Sequence, residues 1–259
     1  KKYLDWKLIL FLLIILFSII LRVYNFEDWL IFKSDQARDG NMVIRSFEKG
    51  PGDLPLLGPR AAGTVLRLGP IFYYFEYLSA FIFQSVQGPV LAYPNLLFSL
   101  LTIPLFYFFV RKYFDRNWSM ILTSLFSVSF VAVEYSRFAW NPNSVPFFSL
   151  LFFYSVLEIF DVKRIKNKVR WFVAAAISFS VCTQLHFSTF ITMPLIVLVF
   201  LIINRKNLKG IVTWKNVLIF IGIVVLFYLP VIFSDILNKG DNVKQFIHSI
   251  GEKSSGRPL

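Results

Sequence analysis

Residues 8–24 read LILFLLIILFSIILRVY, an apolar run with one charged residue, Arg22, near its end. A helix needs about 20 apolar residues, within a range of about 17–25, to cross the hydrocarbon core of a bilayer. The run follows three lysines and resembles the core of a signal peptide, but no small-residue cleavage site comes after it. It therefore predicts a first transmembrane helix that stays in the protein.

The same pattern recurs along the chain and predicts a polytopic membrane protein of the all-α class. Six further runs have this character: 94–110, 118–133, 145–159, 171–185, 187–203 and 217–234. The composition agrees, because 56% of the residues are hydrophobic and 16% are charged, against roughly 45–50% and 25% in soluble domains. We therefore predict a helical bundle with about seven transmembrane helices.

The distribution of basic residues sets the orientation of these helices. If the N-terminus is cytoplasmic and the stretch 71–86 does not cross, the predicted cytoplasmic segments hold more than half of the 27 Lys and Arg residues, as short inside loops should. A full crossing by 71–86 would move the basic segment 163–170 outside. We therefore predict an interfacial helix at 71–86, within a long first outer loop at 25–93.

Composition and charge also exclude several classes of function. The net charge of +12 does not indicate a nucleic-acid partner, because the basic residues cluster in short loops between apolar runs. A single cysteine, Cys182, excludes an internal disulfide and a Cys-rich metal site. Charged residues stay at the ends of the predicted spans, which argues against an ion-coupled transporter.

The first outer loop contains SDQARDG at residues 34–40. Ser34 is a suitable N-cap and Gly50 a suitable helix stop. On such a helix Asp35 and Asp39 share one face with Arg38. Two carboxylates and a guanidinium can act as a general base, hold a divalent cation and bind phosphate. The spacing alone favours the alternative, which is a solvated amphipathic helix with an internal ion pair.

Other polar residues are predicted on the same outer side. Arg60 follows Gly58-Pro59 and can bind phosphate or only lipid headgroups, and Tyr73 can line a lipid-facing groove or simply seal the bundle. Arg137 is the one basic residue of its outer loop, so a phosphate, a first-loop carboxylate or Glu134 should pair with it.

Two further motifs leave their roles open. Asn141 and Asn143 flank a proline and fit either a turn or hydrogen bonds to a sugar. His186 fits a metal ligand, a phosphate partner, a proton carrier or a structural histidine.

Five segments in a fixed order carry a family resemblance: SDQARDG (34–40), LLGPR (56–60), GPIFYYF (69–75), SRFAWNPN (136–143) and TQLHFS (183–188). Together they resemble the bacterial relatives of the protein O-mannosyltransferases, glycosyltransferase family 39. The resemblance implies the C-type glycosyltransferase fold in the plasma membrane. It also implies transfer of a sugar from a polyprenyl-phosphate donor to a protein, lipid or glycan hydroxyl on the outer face.

The resemblance further implies roles for single residues. Asp35 matches the catalytic acid/base position and Asp39 the second acidic residue. Some relatives hold a divalent cation there, which in this chain would fall to the same two carboxylates. The expected substrate-binding residues are Arg38, Arg60, Tyr73, Arg137, Asn141, Asn143 and His186.

The expected organisation is a transferase domain at 1–234, followed by a polar outer tail at 235–259 that begins a longer C-terminal part. The alternative function is non-enzymatic, as a lipid or glycan flippase or an assembly subunit on a similar scaffold. A flippase should carry charged or broken helices within its spans, and the sequence predicts neither.

Overall fold

The computed structural model describes residues 5–61, 66–161, 168–205 and 213–254, and these residues form helices without an extended strand. The helices, in chain order, are α1 (Trp6–Val23), α2 (Ser34–Lys49), α3 (Ile71–Phe83), α4 (Gly88–Val110), α5 (Arg116–Ser127), α6 (Phe130–Glu134), α7 (Val145–Phe160), α8 (Lys168–Leu185), α9 (Thr189–Ile203), α10 (Trp214–Leu237) and α11 (Asp241–Ser254). The chain divides into two compact units, Lys1–Phe47 with Glu76–Leu150 and Glu48–Phe75 with Leu151–Leu259.

The structure confirms the all-helical membrane class but not the count of seven spans. Within the described ranges, four helical segments are long and apolar enough to cross a bilayer: Trp6–Val23, Gly88–Val110, Asn141–Phe160 and Trp214–Leu237. Helix α9 has 15 residues and therefore extends about 22 Å, less than the roughly 30 Å of a hydrocarbon core. Helix α8 begins with Lys168 and Arg170, which lower its mean hydropathy.

Two apolar stretches depart from straight spanning helices. The predicted interfacial stretch is the 13-residue helix α3, about 20 Å long and too short to cross. The predicted third span is broken, since α5 and the segment from Phe130 to Arg137 meet at 58°. Counting this bent pair as one span gives a fifth crossing.

In the first unit, α1, α4 and α5 pack against one another around a buried arginine. Arg22 is completely buried in the last turn of α1. Its Nε donates to the Ser99 hydroxyl at 3.0 Å, and its Nη1 donates to the Ser18 hydroxyl at 2.7 Å and to the Ser127 carbonyl at 2.8 Å. One guanidinium thus ties together three helices.

In the second unit, α10 packs along α8, and polar side chains link the two helices. The Gln184 amide donates to the Phe227 carbonyl at 3.0 Å, and the Tyr228 hydroxyl donates to Thr183 at 2.7 Å. Glu158 is completely buried in the last turn of α7. Like Arg22, this charged residue lies at the end of a predicted span as expected, yet it is not exposed.

We expect Arg22→Lys to lower the thermal stability of the protein. A lysine ammonium is a point charge on a flexible stem and cannot reproduce the planar fork of the guanidinium. Each buried partner left unsatisfied should cost about 1–3 kcal/mol. The measurement is the unfolding temperature in detergent, with Arg170→Lys as the control because Arg170 is exposed. Equal unfolding temperatures for wild type and Arg22→Lys would contradict this role.

Candidate functional site

The acidic motif lies in the first two turns of α2, as predicted. The helix begins at Ser34 itself, so the expected N-cap residue is already helical, and the Gln36 side-chain oxygen instead accepts from the Lys33 amide at 2.9 Å. The helix ends at Lys49, and Gly50 follows with a φ of 97°, a conformation that glycine adopts without steric cost. The sequence thus predicts both ends of α2 to within one residue.

Arg38 joins the two aspartates of the motif. Its Nη1 donates to Oδ1 of Asp35 at 2.9 Å. Its Nε and Nη2 donate to Oδ1 and Oδ2 of Asp39 at 2.7 and 3.0 Å. The second pair is bidentate, the strongest geometry for an arginine and a carboxylate. The internal ion pair considered from the spacing is therefore present.

The two aspartates differ sharply in exposure. The Asp39 side chain is completely buried, whereas those of Asp35 and Arg38 are each 43% exposed. Both Asp39 oxygens are held by Arg38, so Asp39 can reach a substrate only by breaking that pair. Asp35 is the carboxylate of this motif that a substrate can approach.

A tryptophan from the segment before α7 holds the second oxygen of Asp35. Trp140 Nε1 donates to Asp35 Oδ2 at 3.2 Å. The indole packs against Phe138, with ring centroids 5.4 Å apart. The Trp140 backbone carbonyl accepts from the side-chain amide of Asn95 in α4 at 2.9 Å. The Asp35 carboxylate therefore has one oxygen on Arg38 and the other on Trp140, which fixes its orientation.

A further acid lies close to this cluster. Glu76 of α3 is buried, and its Oε2 atom has no hydrogen-bond partner among the described residues. Burial raises the pKa of the Glu76 carboxyl well above its usual range; the negative charge of Asp39 raises it further, and Arg38 partly offsets this. Helix α3 is too short to span, so this buried acid lies beside the motif rather than in a spanning helix.

The other predicted residues of the first unit have structural contacts. Arg137 is buried, donates to the carbonyls of Leu21 and Asn25 at 2.6 and 3.3 Å, and lies over the Trp29 ring at 5.0 Å. Among the residues that the structure describes, it forms no ion pair with Glu134 or with Asp35.

The two asparagines of the same segment also face the protein. The Asn143 amide donates to the carbonyls of Tyr135 and Phe138 at 2.9 and 2.8 Å, which is the turn interpretation of this residue. Asn141 is buried. Both asparagine side chains are therefore in contact with the protein.

Three predicted residues belong to the second unit and are described there by themselves. Arg60 is exposed, Tyr73 is buried, and exposed His186 has its Nδ1 atom 2.7 Å from the Ser188 hydroxyl oxygen. The cluster of Asp35, Arg38, Asp39 and Trp140 consists of residues of the first unit.

The Gly58-Pro59 and Gly69-Pro70 motifs lie side by side in this second unit. The Gly58 amide donates to the Leu68 carbonyl at 2.8 Å, and a Cβ at Gly58 would come within 2.1 Å of the Gly69 carbonyl oxygen. Only glycine allows this approach. The motif glycines therefore position the backbone beside Arg60.

The carboxylates predicted as metal ligands meet that role only in part. The described residues contain no group of three or more His, Cys, Asp or Glu side chains placed to hold a metal ion. A hydrated Mg²⁺ needs only one or two protein carboxylates together with substrate phosphate. Asp35 fits this limited requirement because its side chain is half-exposed, whereas that of Asp39 is completely buried against Arg38.

The long apolar helices define the class of multi-pass membrane proteins. The chain belongs to the dolichyl-phosphate-mannose-protein mannosyltransferase family, whose model matches residues 68–232. The predicted family is thereby confirmed. Comparison with curated proteins gives no match.

Solved structures of one archaeal enzyme share the fold. The apo oligosaccharyltransferase of Archaeoglobus fulgidus is 19% identical, with a TM-score of 0.66, over 89% of this chain and 30% of that one. Its complex with an inhibitory peptide and a dolichol-phosphate is 19% identical, with a TM-score of 0.65, over 87% of this chain and 29% of that one. Its complex with Zn and sulfate is 20% identical, with a TM-score of 0.65, over 85% of this chain and 31% of that one.

This likeness confirms the expected helical membrane fold. At this level of identity it shows the fold alone. The chain spans about 30% of the length of the oligosaccharyltransferase that it matches.

We expect Glu76→Gln to change how stability depends on pH. Because the folded protein holds the Glu76 proton more tightly than the unfolded chain, wild-type stability should fall as pH rises from about 4, the ordinary glutamate pKa, toward the raised value. Glutamine has the same shape and cannot ionise. Unfolding temperatures measured between about pH 4 and pH 8 should therefore diverge in favour of the variant. A pH-independent difference would contradict the assignment.

Proposed function

We propose that this chain is the catalytic portion of a membrane glycosyltransferase, with residues 1–234 as its transferase domain. The enzyme moves a sugar from a polyprenyl-phosphate donor to a hydroxyl of a protein, lipid or glycan acceptor. The site faces the outer side of the plasma membrane, with the N-terminus in the cytoplasm. Family membership supports the transferase class, and the archaeal neighbour solved with a dolichol-phosphate supports a lipid-phosphate donor.

One observation carries the assignment of the catalytic base. Asp35 is the exposed carboxylate of the acidic motif, and it is oriented by Arg38 and Trp140. A general base must be held within hydrogen-bond reach of the proton that it removes. Buried Asp39 supports Asp35 indirectly, because it fixes the arginine that the two aspartates share.

The reaction is an inverting displacement. Asp35 removes the proton of the acceptor hydroxyl as the hydroxyl oxygen attacks the anomeric carbon of the sugar. The bond from that carbon to the phosphate oxygen breaks, and prenyl phosphate leaves with the electron pair. A positive charge beside this leaving group stabilises the transition state, and the half-exposed Arg38 guanidinium supplies one. A divalent cation bound through Asp35 would add further positive charge there.

The remaining substrate contacts divide by their surroundings. Arg60 is exposed and His186 lies in an exposed turn, so both are proposed to contact substrate. Arg137, Asn141 and Asn143 are assigned to shaping the site rather than touching substrate, because their side chains are buried or bonded to backbone carbonyls. Tyr73 is buried within the second unit and is assigned a packing role there.

We expect Asp35→Asn to abolish sugar transfer while leaving the protein folded, because asparagine keeps the shape but cannot accept the proton. The measurement is transfer or donor hydrolysis with synthetic polyprenyl-phosphate hexoses in liposomes. The matched control is Asp28→Asn, which removes an exposed carboxylate of the same unit and should keep wild-type activity. Full activity in Asp35→Asn would refute the base assignment. Wild-type protein that neither binds nor turns over any donor would favour the non-enzymatic alternative.

We expect Trp140→Phe to lower kcat by about tenfold or more with little change in the KM for donor. Phenylalanine keeps an aromatic ring beside Phe138 but removes the N–H that orients Asp35, and a hydrogen bond to a charged group contributes about 1.5–3 kcal/mol. Trp118→Phe is the control, because Trp118 is an exposed tryptophan of the same unit and should leave kcat unchanged. An unchanged kcat, or a change confined to KM, would remove Trp140 from the positioning role.

A further inference from the structure

A cavity of about 290 Å³ lies in the second unit, between the Arg60 segment and the junction of α10 with α11. Its walls include Arg60 and Arg67 on one side and Asp235, Asn238 and Asp241 on the other. The volume is at the lower end of the roughly 300–1,000 Å³ typical of small-molecule sites. The cavity therefore suits one small polar unit rather than a lipid tail or an oligosaccharide.

The two arginines are held opposite each other by the backbone. Arg60 and Arg67 form an antiparallel bridge, flanked by hydrogen bonds from Ala61 to Leu66 at 2.8 Å and from Leu68 to Pro59 at 2.9 Å. In such a pair the two side chains project to the same face, and like charges directly opposite each other are destabilising. Neither guanidinium forms an ion pair within the described ranges. An anion between them would offset the repulsion.

The facing wall supplies hydrogen-bond acceptors rather than further cations. Asp235 caps α11, where its Oδ1 atom accepts from the backbone amide of Asn242 at 2.9 Å. The side-chain amides of Asn238 and Gln245 donate to Ser234 and to Asp241 within the wall, which leaves their amide oxygens to accept. Hydroxyl groups match such a surface, whereas a bare anion would meet the carboxylates.

We propose that this cavity binds the phosphate ester of a monosaccharide-sized polyol, with the phosphate on Arg60 and Arg67 and the hydroxyls on the α10–α11 wall. The proposal gives a ligand class to the substrate-binding role proposed above for Arg60. Its test measures binding rather than transfer, so it succeeds or fails separately from the assignment of Asp35.

The test uses the whole chain in nanodiscs of phosphatidylcholine, titrated with glucose 6-phosphate, glucose and inorganic phosphate. Glucose 6-phosphate should bind at least about tenfold more tightly than either of the other two, because only it engages both walls. The double variant Arg60→Gln/Arg67→Gln should weaken its binding by about tenfold or more, since charge-assisted bonds to phosphate are lost. Both arginines are exposed, so the fold should persist.

Two further variants make the test specific. Arg170→Gln removes an exposed arginine of the same unit that does not line the cavity, and it should leave binding unchanged. Gln245→Leu removes an amide oxygen that can accept a hydrogen bond from a sugar hydroxyl. It should weaken the binding of glucose 6-phosphate but not the binding of inorganic phosphate. The proposal is overturned by no binding of glucose 6-phosphate, by equal affinity for inorganic phosphate, or by a double variant that binds as wild type does.

A lipid headgroup and a sugar can both present a polyol phosphate. Repeating the titration in nanodiscs that contain phosphatidylglycerol separates them. The reference for surface charge is a nanodisc with the same fraction of phosphatidylserine, which is equally anionic but lacks the glycerol headgroup. A lower apparent affinity for glucose 6-phosphate with phosphatidylglycerol than with phosphatidylserine would identify the glycerol phosphate headgroup as the occupant. Equal affinity in the two would identify a phosphorylated sugar.

Discussion

The acidic site depends on the ion pairs that the Arg38 guanidinium forms with Asp35 and Asp39. It holds buried Asp39 through two hydrogen bonds and exposed Asp35 through one. Because a buried carboxylate without a partner would be costly, Asp39 anchors the arginine, and the arginine in turn anchors Asp35. Two aspartates that look equivalent in sequence are thereby separated into a support and an exposed reactive group. Trp140 completes the arrangement by holding the second Asp35 oxygen.

The sequence predicts the features that follow from local patterns. Long apolar runs identify α1, α4, α7 and α10, and spacing places Asp35, Arg38 and Asp39 on one helix that ends before Gly50. The count of seven spans is not confirmed, because α9 is short and the third apolar run is bent. An apolar run establishes hydrophobicity, but whether its helix stays straight depends on packing.

Local sequence patterns do not predict contacts between segments that lie far apart along the chain. Trp140 lies far from Asp35 along the chain, and the burial of Glu76 arises only when segments that are distant in sequence pack together. The sequence predicts that a phosphate or a carboxylate pairs with Arg137. In the structure, Arg137 instead donates to the Leu21 and Asn25 carbonyls at the end of α1. A helix end exposes unpaired carbonyls, and the sequence does not reveal which cation will reach them.

The break between α5 and α6 gives Arg22 its carbonyl partner. In a continuous helix the Ser127 carbonyl would accept from the amide four residues onward, whereas here it accepts from Arg22. The bend and the arginine therefore depend on each other. If α5 continued straight, a backbone amide would donate to the Ser127 carbonyl in place of Arg22, and an apolar residue at position 22 would leave that carbonyl without a donor. Among homologous chains, position 22 and the segment 127–130 should consequently vary together, so that an apolar residue at 22 accompanies an unbroken third helix.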